Sequence, residues 1–222
     1  MRRKEHLANN QIYHIFTRSI ADYVIFNGPD EFQRMLELLK YYQIKNEIKF
    51  SDFIQLRPVM NRGFDNYFDY ASRNKEDIVQ IIAYCLMPTH LHLILKQLSD
   101  GGISAYMGNI LNSFTHYFNK KHRRKGPLWE SKFKNVPVNN DEQLLHLTRY
   151  IHLNPVTAFL VNKPEQWSFS SYKEYILKSN SPTDFCQFED IIDIRPTNYK
   201  KFVNNQISYQ RELAEIKKLL FD

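Results

Sequence analysis

Residues 78–96, with the sequence IVQIIAYCLMPTHLHLILK, decide the fold. Ile78 to Leu86 form an apolar run of the length expected for a buried strand. Pro88 interrupts this run, and His90 to Lys96 continue the pattern as a second strand. The stretch therefore predicts two strands in succession, separated by a short break.

Hydrophobic spacing and turn residues predict further elements on both sides of this stretch. They are a strand at 11–18 (QIYHIFTR), a helix opening at Pro29, a helix over 103–121, a strand over 133–138, and a helix from Asn140 that Pro155 ends. Weaker helical patterns cover Trp167 to Leu177 and Asn198 to Phe221. This order predicts an α+β fold in which an antiparallel sheet carries helices mainly on one face.

The chain divides at two places. Residues 51–77 are rich in Asn, Asp, Phe and Tyr without a clear period, so we interpret them as an insertion or a long loop. We predict one principal domain over residues 1–176, followed by a C-terminal helical extension over residues 177–222.

The composition favours a protein that meets a polyanion in the cytoplasm. The 222 residues carry a net charge of +6, and 43% of them are hydrophobic, enough for a core. A basic surplus favours a polyanion such as nucleic acid, because neutralised phosphates release counterions, but many small soluble proteins are mildly basic as well. No apolar stretch is long enough to span a bilayer or to resemble a signal peptide, so no membrane contact is expected. The two cysteines, Cys85 and Cys186, do not make a disulfide framework.

His90 and His92 are a candidate metal site. Because alternate residues of a strand point to the same face, both imidazoles project together, while Leu91 faces the other way. Two such nitrogens can bind one metal ion. The same spacing also fits two strand histidines that bond only to solvent or to backbone.

Tyr150 and Asn154 are a second candidate pair. Their spacing of four places them on one face of the helix that precedes Pro155. The phenol is a candidate nucleophile and the amide oxygen a candidate third metal ligand, so that an ion held by His90, His92 and Asn154 would neutralise charge on a phosphate. The alternative is a core aromatic beside a helix cap.

Four blocks of sequence resemble the HUH single-strand transposases, in the branch that uses one tyrosine and includes the members associated with repeats. The resemblance covers about residues 9 to 176. Its blocks, in order, are YCLMPTHLHLIL (84–95), GPLWESKF (126–133), RYIHLNPV (149–156) and WSFSSY (167–172). Residues 51–77 are longer than the usual connection, and the stretch after Leu177 lies outside the resemblance.

The resemblance implies a ferredoxin-like core and a metal-dependent transposase that cuts single-stranded DNA. Attack by Tyr150 would leave a 5′-phosphotyrosine link and a free 3′-hydroxyl, and another strand's 3′-hydroxyl would resolve the link. By position, His90, His92 and Asn154 would hold the metal. We expect Mg²⁺ or Mn²⁺, because Mg²⁺ prefers oxygen ligands and Mn²⁺ tolerates imidazole.

The expected partner is single-stranded DNA at hairpin or repeat ends, and a homodimer is compatible with the family. A run of basic side chains after the long helix is a candidate phosphate track, although cations also suit a helix C-terminus. Trp129 and Phe133 are candidates for stacking on bases, but we favour packing against helices for both. The predicted DNA-binding residues are Lys120, Lys121, Arg123, Arg124 and Lys125, together with Arg2 and Arg3.

Two other functions stay open from the sequence. A non-catalytic binder of single-stranded nucleic acid would keep the basic residues and would not need Tyr150. A metal-dependent phosphodiesterase using water would keep His90 and His92 and form no covalent adduct. Tyr117 is a rival nucleophile, which we rank below Tyr150 because Lys121, four positions on, is no metal ligand.

Overall fold

The computed structural model describes residues 7–177 and 185–221, with side chains described as far as residue 216. Its strands are β1 (Ile12–Arg18), β2 (Val79–Met87), β3 (His90–Gln97) and β4 (Lys134–Pro137). Its helices are α1 (Pro29–Tyr42), α2 (Phe50–Phe53), α3 (Arg57–Arg62), α4 (Phe64–Ala71), α5 (Gly102–Lys121), α6 (Asp141–Thr157), α7 (Tyr172–Leu177), α8 (Pro196–Asn204) and α9 (Ile207–Phe221). None of the described helices is long and apolar enough to cross a membrane.

The four strands form one antiparallel sheet in the order β2-β3-β1-β4. The chain order β1-α1-β2-β3-α5-β4, combined with this strand order, is the ferredoxin-like arrangement. The predicted α+β, ferredoxin-like fold class is therefore confirmed. β1 and β3 are the two central strands, so side chains on them are held by neighbours on both sides.

One face of the sheet packs against α1 and α5. Tyr13 and Ile15 of β1 point into this core, where they meet Leu39 of α1 and Phe114 of α5. All four side chains are buried, and Ile15, Leu39 and Phe114 are fully inaccessible to solvent. This core fixes which residues of β1 face the opposite side of the sheet.

The other face is covered in part by α6, α7 and α8. Ile82 of β2 and Ile94 of β3 form a second buried cluster there with Ile151 of α6. The expectation of helices mainly on one face is thus wrong in this detail. The continuous apolar run of β2, buried along its whole length, already requires cover on both faces.

Residues 51–77 are not the long loop that their composition suggested. They contain most of α2 and all of α3 and α4, and Phe50, Phe53 and Phe68 pack around Tyr41 at ring-centroid distances between 4.9 and 5.7 Å. Each of these helices has eight residues or fewer, too short for a hydrophobic period to appear in the sequence.

Pro155 does not end α6, which continues to Thr157. A proline inside a helix removes one backbone hydrogen bond, which normally favours a break. Here Leu153, Pro155 and Val156 are all buried, so tertiary packing keeps the last turn helical. Asn154 is consequently inside the helix, on the turn that the proline loosens.

Candidate catalytic site

The register of the two central strands places both predicted metal-binding histidines on the second face of the sheet. His92 lies opposite Phe16 of β1, and His90 lies opposite Arg18. Their ring centroids are 5.2 Å apart. His90 is half-buried and His92 is only 8% exposed, so the sheet delivers both imidazoles to one partly enclosed position.

Helix α6 brings Tyr150 to the same position. The ring centroid of Tyr150 lies 5.8 Å from that of His92, in an edge-to-face arrangement. Tyr150 is 47% exposed, unlike a core aromatic. Tyr150 and both histidines are thus brought together within a single chain.

A cavity of about 450 Å³ is lined by all four residues of the predicted catalytic set, Tyr150, His90, His92 and Asn154. It also has charged residues that sequence analysis did not single out: Arg18, Glu130 and Lys134. Their placement follows from backbone pairing, because Glu130 donates its backbone N–H to the carbonyl of Arg18 at 3.0 Å and Lys134 pairs with Phe16. The lining therefore carries two cations and one carboxylate beside the histidines.

A third histidine, His14, was missed by the sequence analysis. Its Nε2 lies 3.0 Å from Nδ1 of His92, within hydrogen-bond distance. His14 also lies 6.4 Å from Tyr150, measured between ring centroids. The alternation of β1 puts His14 on the same face as Phe16, and only the pairing of β1 with β3, which the sequence does not reveal, joins it to the site.

Burial keeps these imidazoles neutral. Desolvation lowers the pKa of His92 to about 3, with a further lowering by the nearby His14, His90 and Arg18. Desolvation lowers the pKa of His14 to about 4, and it lowers the pKa of His90 as well. Neutral imidazoles retain a lone pair for a metal ion or for a proton.

Burial keeps the phenol of Tyr150 neutral as well, which for a tyrosine means a raised pKa. Desolvation raises the pKa of Tyr150 above its ordinary value, and the nearby Cys85 raises this pKa further. The phenol is therefore protonated at neutral pH. A nucleophilic role requires a positive charge nearby or an acceptor for the proton.

The ring nitrogens of His90 and His92 are the groups at this position that could hold a metal ion. Nδ1 of His90 lies 3.0 Å from the hydroxyl of Thr89, and Nδ1 of His92 faces His14, which leaves both Nε2 atoms uncommitted by these contacts. Asn154 lines the same cavity, and its amide oxygen is the atom that a metal ion would bind, whereas its buried Nδ2 can only donate and has no hydrogen-bond partner among the described residues. Those residues contain no group of three or more His, Cys, Asp or Glu side chains arranged for a metal.

The predicted basic track divides into two groups. Lys121 is engaged by Glu31 at 2.8 Å and by Asp30 at 3.1 Å, and Arg124 donates to Asn119 and to the carbonyl of Pro127. By contrast, the exposed Lys120, Arg123 and Lys125 make no side-chain hydrogen bond or ion pair within the described part of the chain. Arg2 and Arg3 lie outside the described residues.

Tyr117 and Trp129 are accounted for by packing. Tyr117 stacks under Arg34 and accepts a hydrogen bond from Lys121 at 3.3 Å, and it does not line the cavity. Trp129 is 9% exposed, lies 5.9 Å from Phe114 between ring centroids, and donates its indole N–H to the carbonyl of Leu111 at 3.2 Å.

Known proteins resemble this chain over the part that carries the candidate site. Residues 57–154 match the family model described as "Transposase IS200 like", a stretch that contains the four predicted catalytic residues and ends at Asn154. This chain is similar to the IS200-like transposases. The resemblance drawn from the four motif blocks is thereby confirmed.

Two individual proteins extend the comparison. A Haemophilus influenzae protein described as a REP-associated tyrosine transposase is 26% identical over 117 residues, covering 48% of this chain and 66% of the relative, just under two thirds of its length. A solved REP-associated tyrosine transposase bound to a REP hairpin superimposes with a TM-score of 0.55 and 16% identity, covering 87% of this chain and 94% of the other. At 16% identity, this second likeness establishes the fold.

Proposed function

We propose that this chain is a tyrosine transposase, a single-stranded DNA endonuclease and strand transferase in which Tyr150 is the nucleophile. One observation carries the proposal: the half-exposed phenol ring stands 5.8 Å from the ring of His92, in a cavity that also contains His90 and Asn154. The similarity to IS200-like transposases over the same residues supports it.

The proposed reaction conserves the phosphodiester bond energy. The phenol oxygen of Tyr150 attacks phosphorus, the bond to the 3′-oxygen breaks, and a 5′-phosphotyrosine forms. The phenol loses its proton and the departing 3′-oxygen gains one, so the step is neutral in protons. Attack by another strand's 3′-hydroxyl reverses the chemistry and frees the tyrosine, so rejoining needs no external energy source.

We propose that His90, His92 and Asn154 hold a divalent ion, Mg²⁺ or Mn²⁺, with DNA oxygens completing its shell. Bound there, it would supply positive charge to the scissile phosphate. The chain's own cations work in the same direction: Arg18 and Lys134 line the cavity and are placed to bind phosphate oxygens.

The proposed substrate is a DNA hairpin with an unpaired flank. The solved relative is bound to a REP hairpin, and here the exposed Lys120, Arg123 and Lys125 precede the segment that lines the catalytic cavity. An exposed basic run of this kind suits the backbone of a DNA strand. A homodimer is compatible with the proposed function.

A covalent adduct on Tyr150 tests the function directly. The protein is incubated with Mn²⁺ and hairpin DNA labelled at its 3′ end, because the downstream fragment stays on the tyrosine, and the products are separated on a denaturing gel. We expect a labelled protein band that Tyr150→Phe abolishes. Tyr117→Phe is the matched control and keeps the band, since Tyr117 lies outside the cavity.

Other outcomes of this experiment identify the competing functions. Metal-dependent cleavage that survives Tyr150→Phe and yields no adduct would establish a phosphodiesterase that uses water. DNA binding without cleavage under any metal would establish a binding module. Either result would overturn the proposal.

A further inference from the structure

A second groove adjoins the catalytic cavity on the outer face of α5. Its volume is about 660 Å³, within the range of about 300–1,000 Å³ typical of ligand sites. One wall is α5, and the other is the segment of residues 127–133, which runs from the basic residues into the catalytic cavity. Ser131 lines both the groove and the cavity, so the two spaces are adjacent along the chain.

Gly108 lies on the α5 wall, at a position where the fold does not require a glycine. A Cβ atom added at this position would meet nothing within 4 Å. Only proline is less favourable than glycine in a helix interior, so a side chain would be expected on an exposed helix position with free space above it. The open space at Gly108 lets another molecule approach the helix backbone closely.

The facing wall is apolar and rigid. Leu128 and Trp129 are buried in the protein core, and the indole N–H of Trp129 reaches both the carbonyl of Leu111 at 3.2 Å and the hydroxyl of Thr115 at 3.1 Å. These bonds fix the 127–133 segment against α5. Polar groups stand at the rim, where the amide of Asn112 and the ammonium of Lys132 are exposed.

We propose that this groove binds an unpaired nucleotide of the DNA strand that is cut in the catalytic cavity. The inference rests on the proposed function and adds a position for the strand beside the cut. The base would lie between Gly108 and the 127–133 wall, the Asn112 amide would bond to its edge, and Lys132 would face the adjoining phosphate. Apolar walls with cations alongside are the combination that single-stranded nucleic acid uses.

Continuity and charge favour a DNA strand over a protein segment in the groove. Ser131 lines both the groove and the cavity that carries Arg18 and Lys134, and Lys132, next to it in sequence, lines the groove. A strand whose phosphate sits in the cavity would reach the groove within a short distance along its backbone.

The test fills the groove without disturbing the helix. Gly108→Leu places a bulky side chain in the open space, and leucine is a strong helix former, so the variant is expected to be at least as stable to heat as the wild type. Fluorescence anisotropy compares a labelled DNA hairpin carrying a short mixed-sequence single-stranded flank with the same hairpin lacking it. We expect Gly108→Leu to weaken binding of the flanked hairpin about tenfold and to leave the blunt hairpin unchanged. Asn109→Leu, one position along the helix and outside the groove lining, is the control and binds both DNAs as the wild type does.

The outcomes separate this inference from the proposed function. Equal affinity of Gly108→Leu and wild type for the flanked hairpin would overturn the groove proposal even if the Tyr150 adduct forms. Loss of affinity for both DNAs would also overturn it, because the effect would not be specific to the flank. Flank-specific weakening in a protein that forms no adduct would support the groove and refute the nuclease.

Discussion

At the scale of residues, one contact between two imidazoles, those of His14 and His92, is central to the candidate site. His14 lies 3.0 Å from Nδ1 of His92, so a proton shared by these two nitrogens fixes the ring orientation of His92. The remaining nitrogen, Nε2, is then the one available to the cavity. Partners of this kind behind metal-binding histidines hold the tautomer and the orientation of the ligand.

His14→Ala is expected to weaken Mn²⁺ binding by about 10- to 100-fold, because His92 would lose the contact that orients it. The measurement is an electron paramagnetic resonance titration of free Mn²⁺ against the DNA-free protein, which needs no catalytic turnover. His116→Ala removes an exposed histidine from α5 and serves as the control, with unchanged affinity. Equal Mn²⁺ affinity in His14→Ala and wild type would show that His92 does not depend on His14.

At the scale of elements, two glycines of α5 lie in different surroundings. Gly102, at the start of the helix, is buried where the chain passes the end of β2, and a Cβ there would overlap the backbone carbonyl oxygen of Ile78. Gly108 faces open space, as described above. The sequence shows the same residue type in one helix, and only the packing distinguishes the two positions.

Alanine at these two positions is expected to change stability in opposite directions. Gly102→Ala should lower the free energy of unfolding by about 1–3 kcal/mol, because the helix must shift away from β2. Gly108→Ala should raise it by up to about 1 kcal/mol through helix propensity. Urea titrations followed by circular dichroism measure both, and a common sign would contradict the packing described for α5.

Helix α6 is held in place by a buried polar network. His152, two positions after Tyr150, is fully buried, with Nδ1 2.6 Å from the hydroxyl of Tyr199 and Nε2 2.8 Å from the hydroxyl of Ser171. Desolvation lowers the pKa of His152 to about 3. The network therefore contains a neutral histidine that joins the tyrosine helix to α8 and to the residues before α7.

Acid is expected to destabilise the fold partly through His152. Between its ordinary pKa of 6.5 and about 3, the unfolded chain binds a proton that the folded chain does not, so stability falls as the pH drops below 6.5. This one group accounts for about 2 kcal/mol at pH 5. The lowered pKa values of His14 and His92 add a loss of the same sign.

Urea titrations of wild type and His152→Gln at pH 7.5 and pH 5 isolate this contribution. The variant should be less stable at the higher pH and should lose about 2 kcal/mol less than wild type on acidification. His146→Gln changes an exposed histidine of the same helix and should retain the wild-type dependence on pH. A His152→Gln variant with an unaltered pH dependence would contradict a neutral, buried imidazole.

At the scale of the whole molecule, the net charge of +6 includes basic side chains that are free to bind phosphate and others that are already paired with carboxylates. Lys121 forms ion pairs with Glu31 and Asp30, whereas Lys120, Arg123 and Lys125 form none within the described residues. The number of basic residues in this run therefore overstates the number of phosphates that it can neutralise.

The dependence of hairpin affinity on salt is expected to reveal this difference. Lys120→Ala, Arg123→Ala and Lys125→Ala should each reduce the slope of log affinity against log salt by about 0.9, the release expected for one phosphate contact. Lys121→Ala should change the slope much less, because its ammonium is already neutralised by carboxylates. Anisotropy titrations over a series of salt concentrations measure the slopes, and a slope change for Lys121→Ala equal to the others would contradict the assignment.

Local pattern predicted much of the molecule. A period of two residues predicted the strand that carries His90 and His92. A period of 3.6 residues predicted the long helix over residues 103–121 and the shared face of Tyr150 and Asn154. His14, Arg18 and Glu130 were out of reach, because they join the site only through the pairing of β1 with β3 and with the segment before β4. Pro155 was misjudged because burial of its neighbours outweighs the local preference to end the helix.

The contacts that hold α6 in place bear on whether a gene with all four motif blocks encodes an intact protein. Arg211 of α9 donates to the carbonyls of Val156 and Val161 at 3.3 and 3.0 Å, and Tyr199 of α8 meets His152, so the tyrosine helix is braced from beyond the four motif blocks. A frameshift after residue 177 would leave every block legible in the DNA. Such a copy would pass a motif survey as intact while encoding Tyr150 on a helix that lacks these supporting contacts.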